Sequence, residues 1–174
     1  MAKFSKTDSK GYTHALEVTE VSYDVEKNTS VVSYKYTLTS GSNNGFAGYG
    51  IEWGIWINGV RVMYHAWKSA EYTCYKGGNV INFGSGTVTI EHENDGSKSI
   101  ECYAQILRLD GANYCPVEGT KPSGTLKLTD IPRGFVYIDN GETVEAYQCF
   151  IDDGAAFNHH MPYADNGAAF DMIT

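Results

Sequence analysis

The dipeptide Asn58-Gly59 sits between two alternating runs in GIEWGIWINGVRVMYHAW, residues 50–67. An Asn-Gly pair so placed marks a two-residue type I′ hairpin, because both turn positions need positive φ. If facing residues sum to 117, one face carries Ile57/Val60, Ile55/Val62, Trp53/Tyr64 and Ile51/Ala66, all apolar. The other carries Trp56/Arg61, Gly54/Met63, Glu52/His65 and Gly50/Trp67. The first face is predicted core, with Trp53 in the buried-Trp role common in sandwiches. The second face is open to a functional question.

No helical periodicity competes with this pattern. Residues 12–25 place Leu16 and Val18, then Val21, Tyr23 and Val25, in two phases that slip near Thr19-Glu20, as a β-bulge would require. After a turn at Glu26-Lys27-Asn28, Val32, Tyr34, Tyr36 and Leu38 fall on one face, with Ser33, Lys35 and Thr37 on the other. Thr87–His92 points Val88 and Ile90 inward. Asn94-Asp95-Gly96 is read as a second hairpin turn, and Ile100, Cys102, Ala104 and Ile106 continue inward. GTLKLT, residues 124–129, supplies a last strand through Leu126 and Leu128. About seven strands at this spacing predict an all-β fold, an antiparallel immunoglobulin- or fibronectin-like β-sandwich over residues 12–133, preceded by an N-terminal arm, 1–11. The 13 tyrosines and 19 glycines suit strands and turns respectively.

From residue 134 the texture changes. YIDNG at 137–141 is echoed by FIDDG at 150–154 and YADNG at 163–167, with glycines 13 residues apart and apolar anchors at Val144, Phe157 and Phe170. Each unit reads as a tiny hairpin that cannot bury much surface alone. Residues 134–174 are therefore expected to be a β-hairpin-repeat appendage for docking or homo-oligomerisation. Its markers are Tyr137, Asp139, Gly141, Phe150, Asp152, Gly154, Phe157, Tyr163, Asp165, Gly167 and Phe170. The chain's −8 charge is concentrated there: no Lys or Arg follows Arg133, and seven acids do. That balance argues against nucleic acid as a partner and for a basic or cation-bridged one.

GTVTIEHENDGSKSIECYAQI at 86–106 and SGTLKLTDIPRG at 123–134 together resemble β-sandwich structural proteins of tailed bacteriophages, namely siphophages of Gram-positive hosts. The YIDNG-type repeats are similar to repeats near the C-termini of such proteins. The second unit departs by Asp153 and the third by Ala164. The resemblance implies a virion component, assembled in the host cytoplasm. It also implies an accessory place at the tail, baseplate or capsid surface, with other virion proteins as partners and contact with the host cell wall in several relatives.

No catalytic constellation stands out: there is no GxSxG, no carboxylate pair is nominated, and the repeat Asp residues sit at turns. His159 and His160 are adjacent and would face opposite ways on a strand, so they make poor co-ligands. No cofactor is expected, although acidic oxygens at the Asp-Asn-Gly turns could take calcium. The four cysteines lack metal spacing and read as reduced thiols, with a Cys74–Cys115 bridge as the alternative. No run approaches the ~20 apolar residues of a membrane helix, and the N-terminus does not read as a signal peptide. The outward hairpin face is the candidate for ligand binding. Trp56 and Trp67 supply aromatic surface, while Arg61, Glu52 and His65 supply donors and acceptors, with Tyr72 nearby in the Tyr-rich 68–79 loop. Such a platform matches the apolar faces and hydroxyls of sugar rings, and hence host cell-surface polysaccharide. The other possibility is that the 68–79 loop, another sheet or a neighbouring subunit covers this face. On that view the protein is a capsid decoration or fibre protein with no host ligand.

Overall fold

The computed structural model describes residues 1–110 and 114–132, and beyond them the strands within 135–172. One antiparallel sheet has the order β1-β2-β3-β8, from Ala2–Thr7, Thr13–Asp24, Thr29–Thr39 and Val80–Glu91. The opposing sheet has the order β10-β9-β5-β6, from Ser123–Lys127, Ser99–Leu109, Ile51–Ile57 and Val60–His65. A short ladder between β4 (Phe46–Tyr49) and β7 (Tyr72–Cys74) lies beside them. The described residues are all-β, as expected.

The core lies between the two sheets and is filled by the alternation legible in the sequence. Leu16, Val18, Val32, Tyr36 and Leu38 of one sheet meet Ile55, Ile57, Ile100, Ala104 and Ile106 of the other, all fully buried. Each large aliphatic chain buried this way contributes roughly 1.5–3 kcal/mol, which makes this interface the main stabilising layer. Tyr36, Trp53 and Phe83 pack as one aromatic cluster, with ring centroids 4.9–6.3 Å apart. The phase slip in residues 12–25 is a register shift between Glu20 and Ser22 on β2. Beyond it, however, Val21 and Tyr23 are exposed.

Two expectations need correction. Thr87–Ile106 is not a hairpin: β8 and β9 belong to different sheets, and Asn94-Asp95-Gly96 carries the chain across the sandwich. The turn chemistry was read correctly, with Gly96 at φ 81°, but a tight turn does not by itself say whether the flanking strands pair. The N-terminal arm, 1–11, is mostly strand β1, paired to β2 from Ala2↔Val18 to Thr7↔Thr13, with Phe4 packed on the core. Cys74 and Cys102 are buried thiols, so the Cys74–Cys115 bridge is not formed, although Cys115 is buried as well. Cys149 lies outside the described residues.

Past Pro132 the strands pair as three two-stranded sheets. These are β11 (Phe135–Asp139) with β12 (Val144–Gln148), β13 (Ile151–Asp152) with β14 (Phe157–Asn158), and β15 (Tyr163–Asp165) with β16 (Phe170–Met172). Asp139 faces Val144, Asp152 faces Phe157, and Asp165 faces Phe170. The 13-residue sequence period therefore coincides with a repeated register, in which the acidic residue pairs with the apolar anchor each time.

Candidate functional site

Asn58 and Gly59 have φ of 50° and 78°, the two left-handed positions that a type I′ turn needs. Ile57↔Val60 and Trp56↔Arg61 pair as the turn dictates. The register then shifts: Ile55 faces Met63, Gly54 faces Tyr64 and Trp53 faces His65, which leaves Val62 as the extra residue of a bulge. Because side chains alternate with period two, that one residue exchanges the faces of β6 beyond it. His65 is therefore not on the outer face. It stacks on Trp53 at 5.6 Å with planes 11° apart and lies 2.7 Å from Glu71 Oε2. Tyr72 belongs with it: its hydroxyl accepts the Trp53 indole N–H at 3.0 Å, and its ring meets His65 and Phe83 edge-on. Tyr64, predicted inward, takes the outer face and donates to Glu52 Oε1 at 2.8 Å. That hydrogen bond raises the Tyr64 phenol above its ordinary range.

The outer face of the β9-β5-β6 layers is an array of rings and cations. Trp56 lies directly across from Tyr103 of β9, and their rings stack with centroids 4.9 Å apart and planes 10° from parallel. The indole folds over Gly54, where a Cβ would come 2.6 Å from Trp56 Cη2, so a side chain there would lift the ring. Lys121 Nζ sits 3.5 Å from the Tyr103 ring centroid, Arg61 Cζ 4.3 Å from that of Tyr64, and Arg108 Cζ 4.9 Å from that of Trp67. Each such contact is worth ~0.5–1 kcal/mol at an exposed site, enough to bias the cation's position without fixing it. The chain has three arginines, and two of them lie here. The Trp67 indole N–H is shielded from solvent and has no acceptor among the described residues.

Beside Tyr103 the same face dips into a shallow pocket of about 210 Å³, lined by Glu101, Lys121, Ser123, Gly124 and Thr125. Ser123 and Thr125 face Tyr103 and Glu101 across the β10–β9 ladder, which places two hydroxyls and a carboxylate next to the stacked rings. Of the residues nominated from sequence, Trp56, Arg61 and Glu52 share this surface, and Trp67 joins it at the far end of the layer through Arg108. Tyr103, Tyr64, Arg108, Lys121 and Glu101 were missed. The alternation of Ile100, Cys102, Ala104 and Ile106 already turned Tyr103 outward, but which strand would lie beside it was not readable.

Two buried polar clusters also escaped the sequence. His14 Nδ1 is 2.9 Å from the Tyr36 hydroxyl and its Nε2 is 3.4 Å from Asp8 Oδ2, while Asp8 accepts the backbone N–H groups of Lys10, Tyr12 and Val117. Burial pushes His14 below its ordinary range, with Asp8 opposing. Ser30 Oγ donates to Glu20 Oε1 at 2.6 Å and lies 2.7 Å from His92 Nε2, and Glu20 Oε2 accepts from the Thr129 N–H and hydroxyl. Burial disfavours the Glu20 charge, but the Ser30 and Thr129 hydrogen bonds outweigh it and hold the carboxyl low. Ser30 is fully buried and its neighbours are engaged in structural hydrogen bonds, so this Ser-His-Glu group ties strands together and offers no accessible nucleophile. Burial pushes the Cys102 thiol up to about 11. Among the described residues no three His, Cys, Asp or Glu side chains group as metal ligands.

Of the docking markers, Tyr137, Asp139, Asp152, Phe157, Tyr163, Asp165 and Phe170 lie in the paired strands. Gly141, Phe150, Gly154, Gly167, His159 and His160 lie outside the described residues. A protein-family model described as "Siphovirus protein of unknown function (DUF859)" matches residues 1–170. No curated protein and no solved structure matches the chain.

Proposed function

The chain belongs to this siphovirus protein family, and from that premise we propose that it is a non-enzymatic virion protein that contacts host cell-wall glycan through the outer face of β9-β5-β6. The observation that carries the proposal is the stacked Trp56–Tyr103 pair opening onto a pocket of Lys121, Glu101, Ser123 and Thr125. Sugar rings bind by laying apolar C–H faces on aromatic surface while their hydroxyls meet fixed donors and acceptors, and both elements are adjacent here. Arg61 and Arg108 add cations at the rim.

The appendage would serve attachment to other virion proteins or to further copies of this chain. An isolated two-stranded sheet is marginal in water, and three in succession gain stability when neighbours cover them. Its acidic charge favours a basic or cation-bridged surface on that partner. A tail, baseplate or capsid-surface position would present the sandwich outward in each case.

The test is retention of the purified full chain on cell-wall polysaccharide isolated from the host. Wild type should be retained. Trp56→Ala with Tyr103→Ala should lose retention while its far-UV spectrum stays unchanged. Equal retention of both proteins would exclude the Trp56–Tyr103 face as the site, and failure of wild type to be retained would favour a purely structural decoration or fibre role.

A further inference from the structure

A second pocket, sharing no residue with the outer-face site, opens beside the β4–β7 ladder. It has a volume of about 400 Å³, within the roughly 300–1,000 Å³ of small-ligand sites. Its floor is Phe46 and Cys74, which face each other across the ladder and are 4% and 0% exposed. Its walls are Tyr49, Tyr75 and Tyr114. Tyr75 is 70% exposed and Tyr114 48%, an arrangement that leaves apolar ring surface in water.

The walls are held in place from beneath. Tyr12, fully buried, donates its hydroxyl to the Tyr114 carbonyl at 2.9 Å and packs against Phe46 at 6.0 Å. Phe46 in turn meets Tyr49 edge-on at 6.1 Å, and the Tyr49 and Tyr114 hydroxyls are 3.2 Å apart at the rim. At Gly45 a Cβ would come 2.7 Å from the Cys74 carbonyl oxygen and 2.6 Å from the Lys76 nitrogen, so the two segments approach at backbone distance. The polar residues in its described lining are Asn43, Lys76 and the three tyrosines. Among the described residues no carboxylate lines it.

We propose that this pocket binds a single saccharide unit that carries a carboxylate. The exposed Tyr75 ring offers a stacking surface, and the hydroxyl pair and the amide can each donate and accept as sugar hydroxyls require. A wholly apolar ligand would use the ring surface and none of those groups. Lys76 is the one charged residue among the described residues of the lining, and it selects the acidic sugar over the neutral one.

Two probes with the same ring, methyl glucuronide and methyl glucoside, separate these elements when titrated into the full chain and followed by NMR shifts. Both should saturate, with the glucuronide about threefold to fivefold tighter, the scale of one exposed charge contact. Lys76→Gln should remove that preference. Read at the resonances of the pocket residues, Tyr75→Ala with Tyr114→Ala should abolish the shifts caused by both sugars, whereas Trp56→Ala with Tyr103→Ala should leave those shifts unchanged. Failure of either sugar to saturate the shifts of the pocket residues in wild type, or persistence of those shifts after loss of Tyr75 and Tyr114, would overturn the site. Equal affinities for the two sugars would overturn the acidic specificity. Because the outer-face variant is carried alongside, failure here is distinguishable from failure of the proposed outer-face function.

Discussion

The indole of Trp56 stacks on the phenol of Tyr103, 4.9 Å between centroids and 10° from parallel, across the β5–β9 ladder. The indole edge takes the space that Gly54 leaves free: Gly54 has no Cβ, and one placed there would come 2.6 Å from Trp56 Cη2. Gly54→Val should therefore lift Trp56 off the sheet. Near-UV circular dichroism should change in the tryptophan band, and retention on host polysaccharide should fall about tenfold, the loss of ~1.4 kcal/mol of contact. An unchanged tryptophan band with full retention would mean that the ring's position does not depend on Gly54.

The turn that begins this surface is equally open to test. Asn58 at φ 50° occupies a left-handed conformation that a β-branched residue tolerates poorly, at a cost of roughly 1–2 kcal/mol. Asn58→Val should lower the urea midpoint correspondingly, and Asn58→Gly should not. Equal stability of the two variants would count against a type I′ turn.

Much of the sandwich was legible because burial imposes period two. Val32, Tyr34, Tyr36 and Leu38, and Ile100, Cys102, Ala104 and Ile106, are buried as their alternation required. The binding face was only half legible, for two physical reasons. A bulge at Val62 adds one residue with no compositional mark, and it moved His65 inward and Tyr64 outward. The partner of β5 also lies some fifty residues away in sequence, so Tyr103 and Lys121 could be placed beside Trp56 only once the sheet order was known. The Asn-Asp-Gly turn at 94–96 shows the same limit, since its chemistry fits a hairpin and a sheet crossing alike.

Ser30 links Glu20 of β2 to His92 beyond β8, and Glu20 in turn holds Thr129 past the end of β10. Ser30→Ala leaves the half-buried Glu20 carboxylate and the buried His92 imidazole each one partner short, at a cost of about 1–3 kcal/mol. Urea unfolding should show it, with Ser33→Ala as the control. Ser33 is half-buried and makes a single long contact to the Thr19 carbonyl at 3.3 Å, so its removal should change stability little. Equal effects would contradict a linking role for Ser30.

Acid should loosen the fold in a defined window. His14 is held below its ordinary value of 6.5 by burial, with Asp8 opposing. Above that value the histidine is neutral in both the folded and unfolded chains. As pH falls below it the unfolded chain takes the proton first, and stability drops until the folded pKa is passed. Glu20, held below 4.5, adds a second loss in the same direction at lower pH. Denaturation at pH 7.5 and 5.5 should therefore show a larger loss for wild type than for His14→Gln. Parallel losses would mean that His14 does not report the pH change.

Removal of residues 134–174 should leave the sandwich folded, since the core described between its two sheets is built from residues up to Leu128 and Ile131. Sedimentation should show the truncated chain in a lower oligomeric state than the full chain, and virions should fail to incorporate it. Unchanged oligomeric state together with normal incorporation would refute the docking role.

The most direct measurement of the account is adsorption of virions whose copies of this protein carry Trp56→Ala and Tyr103→Ala. Particles of normal composition that bind host cells at least tenfold more weakly are the predicted result. Particles of normal composition that bind as well as wild type would contradict a glycan-binding role for the outer face.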